Sequence, residues 1–171
     1  MEVAELPAIV VCDAGPLIHL DELGCLDLLS DFRDALVPDA VWKEVARHRP
    51  SALRRRSVDL QRVTVNSKGA ASLLELTPLL SLDEGEVESL ILTDELSADA
   101  ILLTDDAAAR LAAERLGFEV HGTIGVVVRA IRRVQRTKRQ ALNLLKAIPG
   151  RSTLYISKSL LASVIEQVRR S

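Results

Sequence analysis

Short apolar runs alternate along this chain with longer amphipathic stretches, and that alternation sets the expected order of elements. Ala8 to Cys12 is continuous, β-branched and apolar on both faces, so it reads as a buried strand ending at Asp13. Gly15-Pro16 opens a helical segment, Pro16 suiting its first turn, with Leu17, Ile18, Leu20, Leu23, Leu26, Leu28 and Leu29 as apolar positions and a break near Gly24. Ala35-Leu36-Val37 reads as a second strand stopped by Pro38, and Pro38 to about Arg47 as a helix packed through Val41, Trp42 and Val45. Arg49 to Ser57 is polar and Arg-rich, a loop or short helix. A third strand is expected over Arg62 to Val65, a helix from Asp83 to about Leu96, and a fourth strand over Ile101 to Thr104. Asp106 to Leu116 is an Ala-rich helix closed by Gly117, and Phe118 to His121 a fifth strand. Helices then fill the rest, with a break expected near Pro149-Gly150.

Strands alternating with helices predict an α/β fold, a three-layer α/β/α sandwich around a central parallel sheet of about four to five strands. The run Ile9 to Cys12 belongs inside such a sheet. Reactive groups in these folds gather beyond the carboxyl ends of the strands, which directs attention to Asp13 and to Asp105-Asp106.

Composition narrows the picture. A chain of 171 residues suits one domain spanning 1–171, and 48% hydrophobic residues can fill its core. Aromatics are only 2%, so Leu, Val, Ile and Ala must build that core, and aromatic stacking is not expected as the main grip on bases. Cys12 and Cys25 form no disulfide framework and no zinc spacing. The N-terminus lacks a basic stretch followed by an apolar one, and the apolar runs are too short to span a bilayer. A reducing cytoplasm, with no membrane, is the expected setting.

Charge is uneven. From Arg129 onward there are eleven Lys or Arg against one acid, Glu166, whereas the preceding residues hold eleven bases and twenty-three acids. Residues 129–171 therefore read as a basic helical C-terminal extension. Arg129, Arg132, Arg133 and Arg136 recur at helical spacing, either as a solvated face or as a track for RNA phosphates. Leu142, Leu145, Leu160, Leu161, Val164 and Ile165 exceed what a thin outer layer needs, which raises a homodimer or a docked partner segment.

Five acids are the candidate chemistry. Asp13 follows the first strand, Asp105 and Asp106 follow the fourth, and Glu44 and Glu86 sit on helices able to border the same cleft. Each also has a purely structural role open to it. Asp13 or one of the Asp pair can cap a helix, Glu44 can pair with Arg47 or His48, and Asp83 with Glu86 makes a capping box. Two adjacent acids exceed what one cap requires, and like charges placed together cost stability unless a cation neutralises them. As a set, hard oxygen ligands suit Mg²⁺ or Mn²⁺, which activate water and hold a phosphate. His19, His48 and His121 are scattered and read as structural or surface residues. A phosphatase with an aspartyl nucleophile would want an acid where Gly15 stands, and a receiver domain would carry its acidic pair after the first strand.

In sequence order, Val11 to Ile18 resembles the opening of PIN domains, especially the PIN-like family associated with toxin–antitoxin loci. Val37 to Glu44, Leu82 to Glu88, Leu103 to Asp106 followed by Arg110, and His121 to Val126 are similar to its further elements in order and spacing. The resemblance covers about residues 8 to 128, and the tail from Leu142 to Val168 is also similar. It implies a metal-dependent ribonuclease, as the toxin of a toxin–antitoxin pair, with Asp13, Glu44, Glu86, Asp105 and Asp106 around Mg²⁺ or Mn²⁺. RNA and a cognate antitoxin protein would be its partners. Many PIN domains place Ser or Thr soon after the first Asp, where Ala14 and Gly15 stand here. That departure implies weak or retuned activity, or a PIN-like module that binds nucleic acid or protein without cutting.

Overall fold

The structure, a computed structural model, describes residues 8–66, 71–96 and 99–171. Among these, five parallel strands form one sheet: β1 (Ile9–Cys12), β2 (Asp34–Pro38), β3 (Leu60–Val63), β4 (Ala100–Leu103) and β5 (Glu119–His121). Their order is β3-β2-β1-β4-β5, so β1 is central, as its two-sided apolar run requires. It pairs with β2 through Ile9↔Asp34 to Val11↔Leu36, and with β4 through Ile9↔Ala100 to Cys12↔Leu103. Successive strands add outward from β1 on one side until β3, and the chain then returns to β1's other side. The strand order thus reverses between β1 and β4, and a crevice opens at their carboxyl ends.

Side chains alternate across the sheet and divide the core into two layers. Val10, Cys12 and Leu103 pack with Leu17 and Leu20 of α1 (Ala14–Glu22), Val41 and Val45 of α2 (Asp39–His48), and Val126, Val127 and Ala130 of α6 (Thr123–Arg132). Val11 and Leu102 face the other way, onto Leu73 of α3 (Ala71–Leu80), Leu90 to Leu92 of α4 (Glu84–Leu96), and Ala109, Ala112 and Ala113 of α5 (Ala107–Arg115). This is the expected α/β/α sandwich.

Several boundaries differ from the sequence expectation. β3 begins at Leu60 rather than Arg62, because its pairing follows β2, which ends at Pro38 opposite Val63. Thr64 and Val65 have strand-like character but lie beyond the end of β2, past the last pair Pro38↔Val63. α3 occupies a stretch where no element was expected. Pro149 does not break α7 (Lys138–Arg151); it lies in the last turn, where it forfeits a single amide, and Ser152 N–H still donates to the Ile148 carbonyl at 3.0 Å. Gly24 and Gly117 do close helices as expected, at φ +68° and +77°.

The C-terminal helices, α7 and α8 (Lys158–Arg170), belong to the first core layer through Leu145, Ile148, Leu161 and Val168. Leu142, Val164 and Ile165 pack against that layer, which leaves Leu160 exposed among the residues read as a surplus. The arginine row also turns inward, and α6 ends at Arg132, so Arg133 and Arg136 lie past its last turn rather than on one helical face. Arg129 and Arg133 both donate to Asp31 Oδ2, at 2.6 and 2.7 Å, and Arg136 reaches both oxygens of Asp27 at 2.8 Å. Arg129 also stacks on Phe32, 4.2 Å from its ring centre. Three of the four arginines therefore clasp the 3₁₀ turn Leu26–Asp31 and its flank, because that turn supplies the acids the row needs. The Arg-rich stretch after α2 does likewise: Arg49, Ser51 and Arg55 converge on Asp21, a buried acid of α1.

Candidate active site

Asp13 is placed by the end of β1. Its backbone N–H continues the ladder to the Leu103 carbonyl of β4 at 2.9 Å. Its side chain then turns into the crevice. Oδ1 accepts from Ala14 N–H, the capping bond of α1, and Oδ2 accepts from the Thr104 hydroxyl, both at 2.9 Å. Asp13 is 6% exposed. Burial, reinforced by the charges of Asp83 and Glu44 and only partly opposed by the two hydrogen bonds, pushes its carboxyl up to about 7.

The two acids after β4 have different surroundings. Asp105 is held from three directions: His19 Nδ1 lies 2.7 Å from Oδ2, the Thr123 hydroxyl donates to Oδ2, and Thr123 N–H donates to Oδ1 at 2.7 Å. Burial would raise this carboxyl, but those bonds outweigh it and hold Asp105 below the usual carboxylate range. An ionised carboxylate only accepts, so His19 carries its hydrogen on Nδ1. Asp106 instead caps α5, accepting from Ala109 N–H at 2.8 Å, and among the described residues it receives no side-chain donor. Arg110, one turn on, points its guanidinium at the Thr104 carbonyl at 3.4 Å rather than pairing with Asp106.

Glu86 and Asp83 form the capping box of α4. Glu86 N–H donates to Asp83 Oδ1 at 2.8 Å, and Asp83 N–H to Glu86 Oε2 at 2.9 Å. The cap does not silence Glu86. Burial raises its carboxyl, the charges of Asp83, Asp106 and Asp13 add to that, and it stands at about 7. Glu44 comes from α2; burial and the Asp83 charge push it up, against Arg47 and His48. Gly85 lets α2 and α4 meet here. A side chain at that position would lie 3.2 Å from Val41 Cγ2 and 3.5 Å from both Asp83 Oδ1 and Glu44 Oε2.

All five predicted acids therefore line one cleft of about 430 Å³, together with Asp83, His19, Leu154 and Tyr155. They ring it rather than touch: among the described residues, no three His, Cys, Asp or Glu side chains are drawn tight enough to grip an ion as they stand. Sequence reasoning treated Asp83 only as a cap and assigned His19 no carboxylate partner. The acid spacing in Leu82-Asp83-Glu84-Gly85-Glu86 pointed to Asp83, whereas the His19–Asp105 pair spans 86 positions and has no local signature. Cys12, beside Asp13, is fully buried; burial and the Asp13 charge push its thiol up to about 12, so it is inert.

Acids from both sides of a strand-order reversal, gathered at the sheet's carboxyl end, are the arrangement the sequence resemblance implied, and the PIN-domain profile matches residues 9–170. The chain belongs to the PIN-domain family. No curated protein matches it significantly. PIN domains are generally nucleases and generally use divalent metals, and this one has the nuclease-like fold of the family. The match extends through α7 and α8, in keeping with their place in the core. Among the described residues, no helix of this PIN domain is long and apolar enough to cross a membrane.

Proposed function

We propose that this PIN domain is a metal-dependent endoribonuclease that hydrolyses RNA phosphodiester bonds at the cleft between β1 and β4. The observation that carries the reading is the convergence of six acids on one cleft: Asp13, Glu44, Asp83, Glu86, Asp105 and Asp106, brought from β1, α2, α4 and β4, all line it. Burial and neighbouring charge raise the carboxyls of Asp13 and Glu86, as such crowding requires. Among the described residues no Lys or Arg lines the cleft, and its carboxylates are hard oxygen donors, so it fits Mg²⁺ or Mn²⁺ rather than a soft metal.

Asp13, Glu86 and Asp106 would hold the ion, with Glu44 and Asp83 bordering it. Asp106 is preferred to Asp105 because Asp105 already accepts three hydrogen bonds, while the second carboxylate oxygen of Asp106 accepts none from the described residues and its charge is felt at Glu86. A bound ion supplies a more acidic water and neutralises charge on the phosphate. Thr104 fixes the rotamer of Asp13. Asp105 acts as a pillar, tying the start of α6 and His19 to the end of β4. Glu44 and Glu86, on long side chains, can swing inward when repulsion is relieved.

Cleavage of a mixed RNA pool, with and without Mn²⁺, tests this reading. Mn²⁺-dependent fragments that vanish in Asp13→Asn support it; the same fragments from the variant would refute it. A toxin role within a toxin–antitoxin pair is the finer form of the proposal. It predicts growth arrest on expression, relieved by the same substitution.

A further inference from the structure

The segment between α7 and α8 reaches the rim of the acid cleft, although its sequence carries no acid. Glu22, at the end of α1, pins it: Glu22 Oε1 accepts from Thr153 N–H at 3.0 Å and from the Thr153 hydroxyl at 2.8 Å. Leu154 and Ile156 turn inward and pack against the core, so Tyr155 between them faces out. It lies at the cleft with Asp13, Glu44 and Asp106, and is 92% exposed.

That exposure has no explanation in folding. Of the chain's four aromatic residues, Phe32 is buried under Arg129, and Trp42 and Phe118 pack against the core. Tyr155, the chain's one tyrosine, leaves its ring in water, where a polar residue would serve the fold equally well. The cleft beside it is strongly acidic and repels phosphate. A strand entering it gains from a contact that does not depend on charge, and a flat ring against a base provides one.

We infer that Tyr155 is a substrate-contacting residue that stacks on an unpaired base next to the phosphate held at the acid cluster. This rests on the ribonuclease reading. Bases inside a duplex are already stacked and do not present a face to the ring.

The test compares the wild type, Tyr155→Ala and Tyr155→Phe for binding of a short labelled oligoadenylate and of an abasic strand of equal length, with Ca²⁺ present. Steady-state cleavage of the oligoadenylate with Mn²⁺ is followed in parallel. Tyr155→Ala should weaken oligoadenylate binding roughly tenfold and raise KM with little change in kcat, while binding the abasic strand as the wild type does. Tyr155→Phe, which keeps the ring, should restore most of the loss. Equal losses on both strands, or no loss on either, would overturn the inference. A wild type that cuts RNA with Mn²⁺ while Tyr155→Ala cuts identically removes this inference and leaves the nuclease reading intact. A wild type that cuts no RNA removes both.

Discussion

At the scale of single residues, each acid at the cleft has both a structural and a chemical role. Asp13 caps α1 and is also the most buried of the five predicted acids, so substitution separates the two roles. Asn is a good cap, and Asp13→Asn removes one charge at nearly constant shape. Without metal, the variant should be as stable as the wild type or more so, with relief on the order of 1 kcal/mol from reduced repulsion. Adding Mn²⁺ should raise the melting temperature of the wild type far more than that of the variant. Equal metal responses in thermal melts would remove Asp13 from the ion's ligands. Gly122 gives a second prediction. A β-carbon there would fall 2.6 Å from Asp105 Oδ1 and 2.9 Å from the Arg110 guanidinium. Gly122→Ala should therefore displace Asp105 and cost about 1–3 kcal/mol, read from urea midpoints. An unchanged midpoint would show that the Asp105 pillar gives way freely. Four of the acids could be read from local pattern, because Asp13, Asp105 and Asp106 follow strands and Glu86 opens a helix; Glu44, in the middle of α2, was legible only through the sequence resemblance. His19 and Thr123 could not be read, since only the fold brings them to Asp105.

At the scale of elements, the buried strands and their helices were readable because their patterns are strong, and the errors fall where tertiary partners decide. β3 is placed by β2, not by its own β-branched residues. α7 continues through Pro149 because a proline in the last turn costs one hydrogen bond. The arginines at the end of α6 were the largest surprise: helical spacing put Arg129, Arg132, Arg133 and Arg136 on one face, but the helix ends at Arg132 and the chain carries Arg133 and Arg136 beyond it to acids of the 3₁₀ turn. Arg129 combines an ion pair with a ring contact in a partly buried place. Arg129→Ala should cost about 1–2 kcal/mol of stability. It should also leave the salt dependence of RNA binding nearly unchanged, because its charge already has a partner. A markedly flatter salt slope in the variant would return this face to the role of a phosphate track.

For the whole molecule, the acid cluster predicts how stability follows pH. Asp13 and Glu86 keep their protons in the folded state up to about 7, whereas in the unfolded chain they ionise in the ordinary carboxylate range. The folded state thus binds more protons between those limits. Their favourable contribution is complete below the unfolded pKa and is lost as pH rises through about 7. Asp21, Asp31 and Asp105 are held low and act in the opposite sense, losing their contribution as pH falls through their own low values. Metal-free protein should therefore be most stable under mildly acidic conditions and weaken toward about pH 8, where Mn²⁺, which needs ionised ligands, should stabilise it most. Urea midpoints at both ends of that range, with chelator and with Mn²⁺, measure this directly. A metal-free midpoint that rises steadily to about pH 8 would contradict the lifted carboxyls.

The pairing of Cys12 with Leu103 makes the cleft a gauge of alignment between two strands. Beyond that pair the chain delivers Asp13 on one side and Thr104, Asp105 and Asp106 on the other, and successive residues of a strand point to opposite faces. One residue inserted between Leu103 and Thr104 would pass each of those three side chains to its neighbour's place. The hydroxyl would leave Asp13, and the pillar would stand where the free carboxylate belongs. A glycine inserted there should abolish metal-stimulated cutting while the buried strands and helices still assemble. The same glycine between Gly117 and Phe118, at the turn before β5, should be tolerated. Length is thus constrained at the β1–β4 seam more tightly than composition, and an insertion scan would locate the reactive end of the sheet without any knowledge of which acids it holds.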